Sequence, residues 1–262
     1  TYDYKDEISS LIPVPEENNG KKVALIGGGP SSLTVARDLA LMGYQCTLFE
    51  RDPQAGGLMR TNIPSFRLPE EVLNEEVDQV LSLGIKTEFN SEIKSMKKLL
   101  NKDFDAVFVG TGAPKGRDIR IEGREEAGAN IHIGIDWLTS IAFEHTKSIG
   151  KKVIVLGGGN TAMDCCRTSL RLGGKDVKVI YRGERHTMKS SDWELEPALE
   201  ENVDLVLRHS PEEYIVKDGK LVGMRFSEME YSLDEDGKRQ SKKIGEVTIP
   251  CDTVILAIGQ EN

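Results

Sequence analysis

Basic residues are scarce beside acidic ones: the 262-residue chain carries 34 Lys and Arg against 43 Asp and Glu, a formal charge of −9. A protein that neutralises nucleic-acid phosphates needs clustered basic surface, so nucleic acid is excluded as a partner. Attachment to an anionic membrane surface fails for the same reason. Long apolar runs are also missing. Stretches such as 23–26 and 254–258 fall far short of the roughly 20 residues that a spanning helix needs, and no charged-then-apolar signal segment opens the chain. The expectation is a soluble, cytoplasmic protein with no membrane partner.

Cysteine is sparse and badly spaced for chemistry. Cys46, Cys165, Cys166 and Cys251 form no C-x-x-C pair, which excludes an iron–sulfur or structural zinc site built from this chain's cysteines alone. It also removes the usual dithiol of a disulfide reductase. The adjacent Cys165 and Cys166 read as two small apolar residues of a helix. His132, His145, His186 and His209 are isolated and lack i, i+4 spacing, so they read as structural and no metal site is expected.

Glycine, by contrast, is abundant: 26 residues, above the ~7% average. An excess without a collagen-like period marks loops where backbone must come close to something. A repeat accounts for part of it. The stretch from Lys21, KKVALIGGGPSSLTVARDLALMGYQCTLFER, closely resembles that from Lys151, KKVIVLGGGNTAMDCCRTSLRLGGKDVKVIYR. Each copy opens with a short β-branched and apolar run (23–26; 153–156), suited to a strand buried on both faces of a parallel sheet. A glycine turn follows, then apolar residues at helical spacing (31–42; 161–172) that stop at Gly43 and Gly173. Each copy predicts strand, turn, helix, strand.

The turns read G-x-G-x-x-small: Gly27, Gly29 and Ser32 in the first copy, Gly157, Gly159 and Ala162 in the second. The first glycine makes the turn, the second admits a pyrophosphate to the backbone, and the third position packs helix on strand. The phosphate sits at the helix N-terminus, where unpaired N–H groups and the dipole favour an anion. Two such turns, each between a strand and a helix, predict two dinucleotide sites. Ser32 departs from the usual glycine or alanine, which predicts slightly looser helix–strand packing.

The ends of the second strands differ. The first copy ends in Phe49 and Glu50, a carboxylate placed to accept hydrogen bonds from a ribose hydroxyl of NAD or FAD. The second, aligned on Phe49 and Ile180, puts Tyr181 there and follows it with Arg182 and Arg185. Guanidinium groups suit a 2′-phosphate that a carboxylate would repel, which favours NADP, with NAD still open. Glu184 lies between the two arginines, and both can equally be solvated loop charges.

Further motifs carry a resemblance: Glu50 followed by Gly56-Gly57-Leu58, I-P-S-F-R-L-P at 63–69, Gly110-Thr111-Gly112, GGGNTAMD at 157–164, and Ala257-Ile258-Gly259-Gln260. In this order they resemble the flavin-containing small subunit of glutamate synthase. The corresponding domains of dihydropyrimidine dehydrogenase and the large subunit of electron-bifurcating ferredoxin:NADP oxidoreductase belong to the same group. The resemblance implies an α/β fold with two Rossmann-like three-layer domains, the NAD(P)H domain inserted in the FAD domain. The expected layout is a linker at 1–20, the N-terminal part of the FAD domain at 21–112, the NAD(P)H domain at 113–258, and the start of a return to the FAD domain at 259–262.

It further implies that Gly29, Pro30, Ser31, Ser32 and Leu33 meet the FAD pyrophosphate, and that Glu50, with Arg51 beside it, meets the adenosine ribose. Gly57, Leu58 and Arg67 would line the flavin side, with Gly110, Thr111 and Gly112 as a second backbone approach. Gly159, Asn160, Thr161 and Ala162 would cradle the phosphates of NAD(P)H, and Ala257, Ile258 and Gly259 would meet its nicotinamide end. No catalytic side chain is implied, since the cofactors carry the chemistry: hydride passes between nicotinamide and flavin where the two domains meet. The flavin then exchanges electrons with iron–sulfur clusters on another domain or partner subunit, alongside a larger catalytic subunit.

Two other readings remain: a thioredoxin-reductase-like flavoenzyme, and a nucleotide-binding module without redox function. In the relatives an iron–sulfur domain precedes the first glycine motif, and a segment with a G-G-D signature follows A-I-G-Q. The sequence has neither and starts with Thr, so a fragment with an incomplete FAD domain, little bound FAD and little turnover is expected.

Overall fold

The computed structural model describes residues 17–234 and 236–261. The expected linker is therefore described only from Glu17 onward, and Glu235 of the 234–237 turn also lies outside. Two units divide between Ala113 and Pro114.

In the first unit the apolar run at 23–26 becomes β1 (Lys22–Ile26), and α1 (Pro30–Leu41) and β2 (Gln45–Phe49) follow it. Gly43, at φ +82°, turns the chain out of the helix, a conformation that suits a residue without Cβ. α2 (Leu58–Thr61), α3 (Glu70–Leu81), β3 (Lys86–Glu88), α4 (Met96–Leu100) and β4 (Ala106–Val109) complete it. The sheet is parallel, in the order β3-β2-β1-β4. Because β1 is central, its side chains are buried on both faces. Val23 and Leu25 join Leu33, Ala36, Leu73 and Val77 from α1 and α3, whereas Ala24 and Ile26 pack with Phe49 and Leu99. Each of the valine, leucine and isoleucine side chains contributes about 1.5–3 kcal/mol when fully buried.

The second unit repeats the plan. β5 (Lys115–Gly116), β6 (Ile131–Ile133), α5 (Gly134–Ala142), β7 (Lys152–Leu156), α6 (Asn160–Arg171), β8 (Asp176–Tyr181), α7 (Asp192–Glu200) and β9 (Asp204–Leu207) lead to three longer strands. These are β10 (His209–Lys217), β11 (Lys220–Leu233) and β12 (Arg239–Ile249), after which come β13 (Thr253–Leu256) and β14 (Gln260–Glu261). The parallel sheet has the order β6-β13-β7-β8-β9, so β9-β8-β7-β13 repeats the arrangement β3-β2-β1-β4. In both, the order reverses beside the first strand, and crevices for ligands open at the carboxyl ends of such strands.

α5, α6 and α7 cover one face through Trp137, Met163, Cys165, Cys166 and Leu195. The other face is covered by an antiparallel sheet, β10-β11-β12, which buries Tyr214, Leu221, Met224 and Phe226 against Ile154, Leu156, Ile180 and Val254. The hairpin signals therefore mark a full third layer. Asp218 and Gly219, at φ +51° and +70°, form the two-residue turn with both central residues left-handed that matches strand twist. Gln260 and Glu261 pair with Gly116 and Lys115 and so group with the second unit, where the sequence suggests the start of a return to the first domain.

Candidate nucleotide sites

The two glycine turns are built alike. The Gly27 N–H donates to the Phe49 carbonyl at 2.8 Å, and the Gly157 N–H donates to that of Ile180 at 3.1 Å, which is the alignment read from the sequence. Both glycines have positive φ, +92° and +145°. A Cβ at 27 would lie 2.7 Å from the Gly110 carbonyl oxygen, and one at 157 would lie 2.2 Å from that of Ala257. The turns close against equivalent segments, so Gly110 and Ala257 occupy matching places.

In the first unit Gly29 caps α1 and Pro30 is its first residue. The first helical bond runs from the Leu33 N–H to the Gly29 carbonyl, 3.0 Å. The N–H groups of Ser31 and Ser32 precede it, and such donors have no partner inside their helix. A Cβ at Gly29 would meet only the Gly57 Cα, 3.9 Å away, so the cradle admits an anion at the helix end. Gly57, at φ +53°, lies against Gly29, and the Gly56 N–H bonds the Gly28 carbonyl at 2.8 Å.

The Glu50 carboxylate is buried. It accepts from the N–H groups of Gly28 and Asp52, and with burial it holds the Asp52 carboxyl above the usual range, burial being the larger cause. Arg51 pairs loosely with Asp52 at 3.7 Å, and Leu58 opens α2. Thr111 passes beside Gly27, and Gly112, at φ +64°, faces open space. Arg67 sits in the turn leading into α3, its N–H on the Pro64 carbonyl. The sequence did not single out Arg60, whose nearly buried guanidinium bonds the Ala55 carbonyl at 2.7 Å and Asn74 at 2.7 Å. It fixes the segment before Gly56 to α3.

Ser32 is fully buried, so the expected looser packing is corrected. Its Oγ fills the place that a Cβ on Gly110 would take, 2.2 Å away. The serine fits because residue 110 has no side chain.

In the second unit a cavity of about 730 Å³ opens at the ends of β7, β8 and β13. Gly157, Gly159, Thr161, Tyr181, Arg182, Ala257, Ile258 and Gly259 line it, and so do Arg117, Lys189 and His209. Gly159 caps α6 with nothing within 4 Å of its Cβ position. The Ala162 N–H turns back to the Gly159 carbonyl at 2.9 Å, which leaves Asn160 and Thr161 as the helix-end donors. This cradle also suits a pyrophosphate. Asn160 and Ala162 are not in the cavity wall: the Asn160 side chain accepts from the Ser191 N–H at 3.3 Å, and Ala162 is fully buried in the core.

Tyr181 stands where the first unit has Glu50. A Cβ on Gly158 would lie 2.7 Å from its ring, just as one on Gly28 would meet the Glu50 carboxylate. The charges beyond Tyr181 sort themselves by partner. Arg185 pairs with Asp192 and is not in the cavity wall. Glu184 is engaged by Arg208 at 3.5 Å and Arg239 at 3.7 Å, so it does not offset Arg182. The Arg182 carbonyl accepts from the Tyr231 hydroxyl, and Arg239 stacks on the Tyr231 ring at 3.9 Å.

All four cysteines are buried and free. Burial pushes the Cys166 thiol up to about 12, and raises Cys165 as well. Among the described residues no three His, Cys, Asp or Glu side chains gather as metal ligands.

Twin parallel sheets, each with a glycine turn at a helix N-terminus, define a dinucleotide-binding α/β protein with two sites. The chain belongs to the pyridine nucleotide-disulphide oxidoreductase family, whose model matches residues 21–262. It is 36% identical over 248 residues to the NADP(+)-dependent formate dehydrogenase subunit beta of Moorella thermoacetica, covering 92% of this chain and 35% of that protein. It is 34% identical over 260 residues to the glutamate synthase [NADPH] small chain of Escherichia coli K12, covering 93% and 55%. The chain thus spans about a third to a half of the length of these curated relatives. Among solved structures it is similar to FprA of Mycobacterium tuberculosis in complex with NADPH, with a TM-score of 0.78 and 17% identity over 92% of this chain and 71% of that one.

Proposed function

We propose that this chain is the nucleotide-binding part of a cytoplasmic, FAD-dependent NADPH oxidoreductase. It passes hydride between NADPH and FAD and exchanges electrons with iron–sulfur centres on another domain or a larger partner subunit. The observation that carries this reading is the divergence of two turns with matching hydrogen bonds. Glu50 follows the second strand of one, and Tyr181, the last residue of that strand in the other, is followed by Arg182.

A buried carboxylate held by two backbone N–H groups presents its remaining lone pairs to ribose hydroxyls, which suits the adenosine of FAD. Ser31 and Ser32 offer backbone donors to its pyrophosphate, and the Gly29–Gly57 contact keeps side chains clear of it. In the second unit Asn160 and Thr161 offer the equivalent donors to NADPH, and Arg182 answers its 2′-phosphate. Bound FAD supplies a group that accepts a hydride and releases electrons singly; the chain contributes binding, orientation and electrostatics. The names of the relatives, an NADP(+)-dependent dehydrogenase subunit and an [NADPH] small chain, support the choice of nucleotide.

The test is anaerobic titration of the FAD-loaded protein with NADPH and NADH, followed by the flavin visible band. Bleaching at lower NADPH than NADH is expected. Tight nucleotide binding with no bleaching would instead favour a module without redox function.

A further inference from the structure

In the first unit the loop after β2 returns to the glycine turn through the Gly56 N–H, which bonds the Gly28 carbonyl at 2.8 Å. In the second unit the loop after β8 returns the same way: the Lys189 N–H bonds the Gly158 carbonyl at 2.8 Å. The Ser190 N–H bonds the same carbonyl at 2.9 Å, so residues 189 and 190 together stand where Gly56 stands in the first unit. Gly56, at φ +127°, brings no side chain, whereas Lys189 brings a primary amine on a long stem to the cavity wall. We propose that Lys189 is a specificity-determining residue of the second site, and that with Arg182 it binds the phosphate on the 2′-oxygen of the adenosine ribose. Resting on the NADPH reading above, the assignment moves the second cation from Arg185 to Lys189.

Three observations support it. First, Lys189 lines the cavity and is exposed, and among the described residues neither it nor Arg182 has a carboxylate partner. Arg185, the other candidate, is paired with Asp192.

Second, the loop holds Lys189 at the end of the sheet where the ribose belongs. The Tyr181 hydroxyl donates to the Thr187 carbonyl at 2.9 Å, and a Cβ on Gly183 would meet both Thr187 and the Tyr181 ring within 3 Å. The loop wraps the ring and comes back to Gly158, the glycine on which that ring rests. The residue that ends the second strand of such a unit faces the ribose 2′-hydroxyl, and Arg182 and Lys189 line the same cavity as that residue, Tyr181.

Third, the other cation of the wall lies elsewhere. The Arg117 N–H bonds the Gly259 carbonyl at 3.1 Å, in the segment that closes on Gly157. A dianionic phosphate flanked by two cations gains charge-assisted hydrogen bonds from both.

The test measures binding by calorimetry with two fragments, 2′,5′-ADP and 5′-AMP, which differ only in the 2′-phosphate. Lys189→Ala should weaken 2′,5′-ADP by roughly ten- to a hundredfold, the range for a lost charge-assisted bond, and leave 5′-AMP within about twofold. Lys189→Arg should restore most of the difference. Full discrimination retained in Lys189→Ala, or an equal loss for both fragments, overturns the assignment. Selective loss in Arg185→Ala but not in Lys189→Ala does the same. If the unsubstituted protein binds both fragments equally, the NADPH reading itself fails and the assignment falls with it.

Discussion

At the scale of single residues, Gly110 and Ser32 show how one small side chain licenses another. The Ser32 hydroxyl is buried with no hydrogen-bond partner among the described residues, and it stands where a Cβ on Gly110 would go. Gly110→Ala should therefore destabilise the first unit by about 1–3 kcal/mol through overpacking, read as a lower urea midpoint. Adding Ser32→Ala should recover part of the loss, because the Ser32 Cβ is a tolerable 3.5 Å away while the Phe108 ring stays 3.0 Å from the added methyl; a Gly110→Ala protein as stable as the original would sink this account. The turn glycines and the alignment of Glu50 with Tyr181 were legible in the sequence, since strand, turn and helix follow one another locally. The partners of the charges were not. Arg185 meets Asp192, and Glu184 meets Arg208 and Arg239, choices settled by how a loop and a distant hairpin fold. Lys189 left no sequence signal, because its place depends on a backbone bond to a glycine far upstream.

At the scale of elements, α6 and α7 are joined by a small charge cluster. Glu201, which caps α7, accepts from Arg171 at 2.7 Å and from Arg167 at 2.8 Å. These guanidinium groups, Arg171 foremost, lower the Glu201 carboxyl from 4.5 to about 2. A carboxyl lowered on folding adds stability that is full above its unfolded value and vanishes as pH falls through the folded one. The contribution should therefore fade between about pH 4.5 and 2. Glu201→Gln should cost about 1–2 kcal/mol at neutral pH, a figure discounted for partial exposure, and should flatten stability across that window. Chemical denaturation at a series of pH values checks it; an unchanged acid limb would refute the role. The hairpin turn at Asp218 and Gly219 could be read from the sequence. That β10 to β12 would cover the face of β7, β8 and β13 could not, because the runs look like ordinary exposed strands until Tyr214, Met224 and Phe226 are seen buried.

At the scale of the molecule, each unit encloses its own core and its own glycine turn, so each should answer its own ligand. Hydrogen exchange with 2′,5′-ADP should slow amides at 157–162 and 181–190 and leave those at 27–33 unchanged. Equal protection of both turns would contradict the assignment of separate nucleotides. The loop from 182 to 190 buries Met188 in the core of the second unit. The bonds that anchor it run from the Lys189 and Ser190 N–H groups to the Gly158 carbonyl, main chain to main chain. An anchor of that sort is blind to which amino acid carries it. On the assignment proposed above, a single codon change at position 189 would alter cofactor choice while these main-chain bonds stay in place. Duplicated units sharing such anchors can diverge in what they bind while their architecture stays the same.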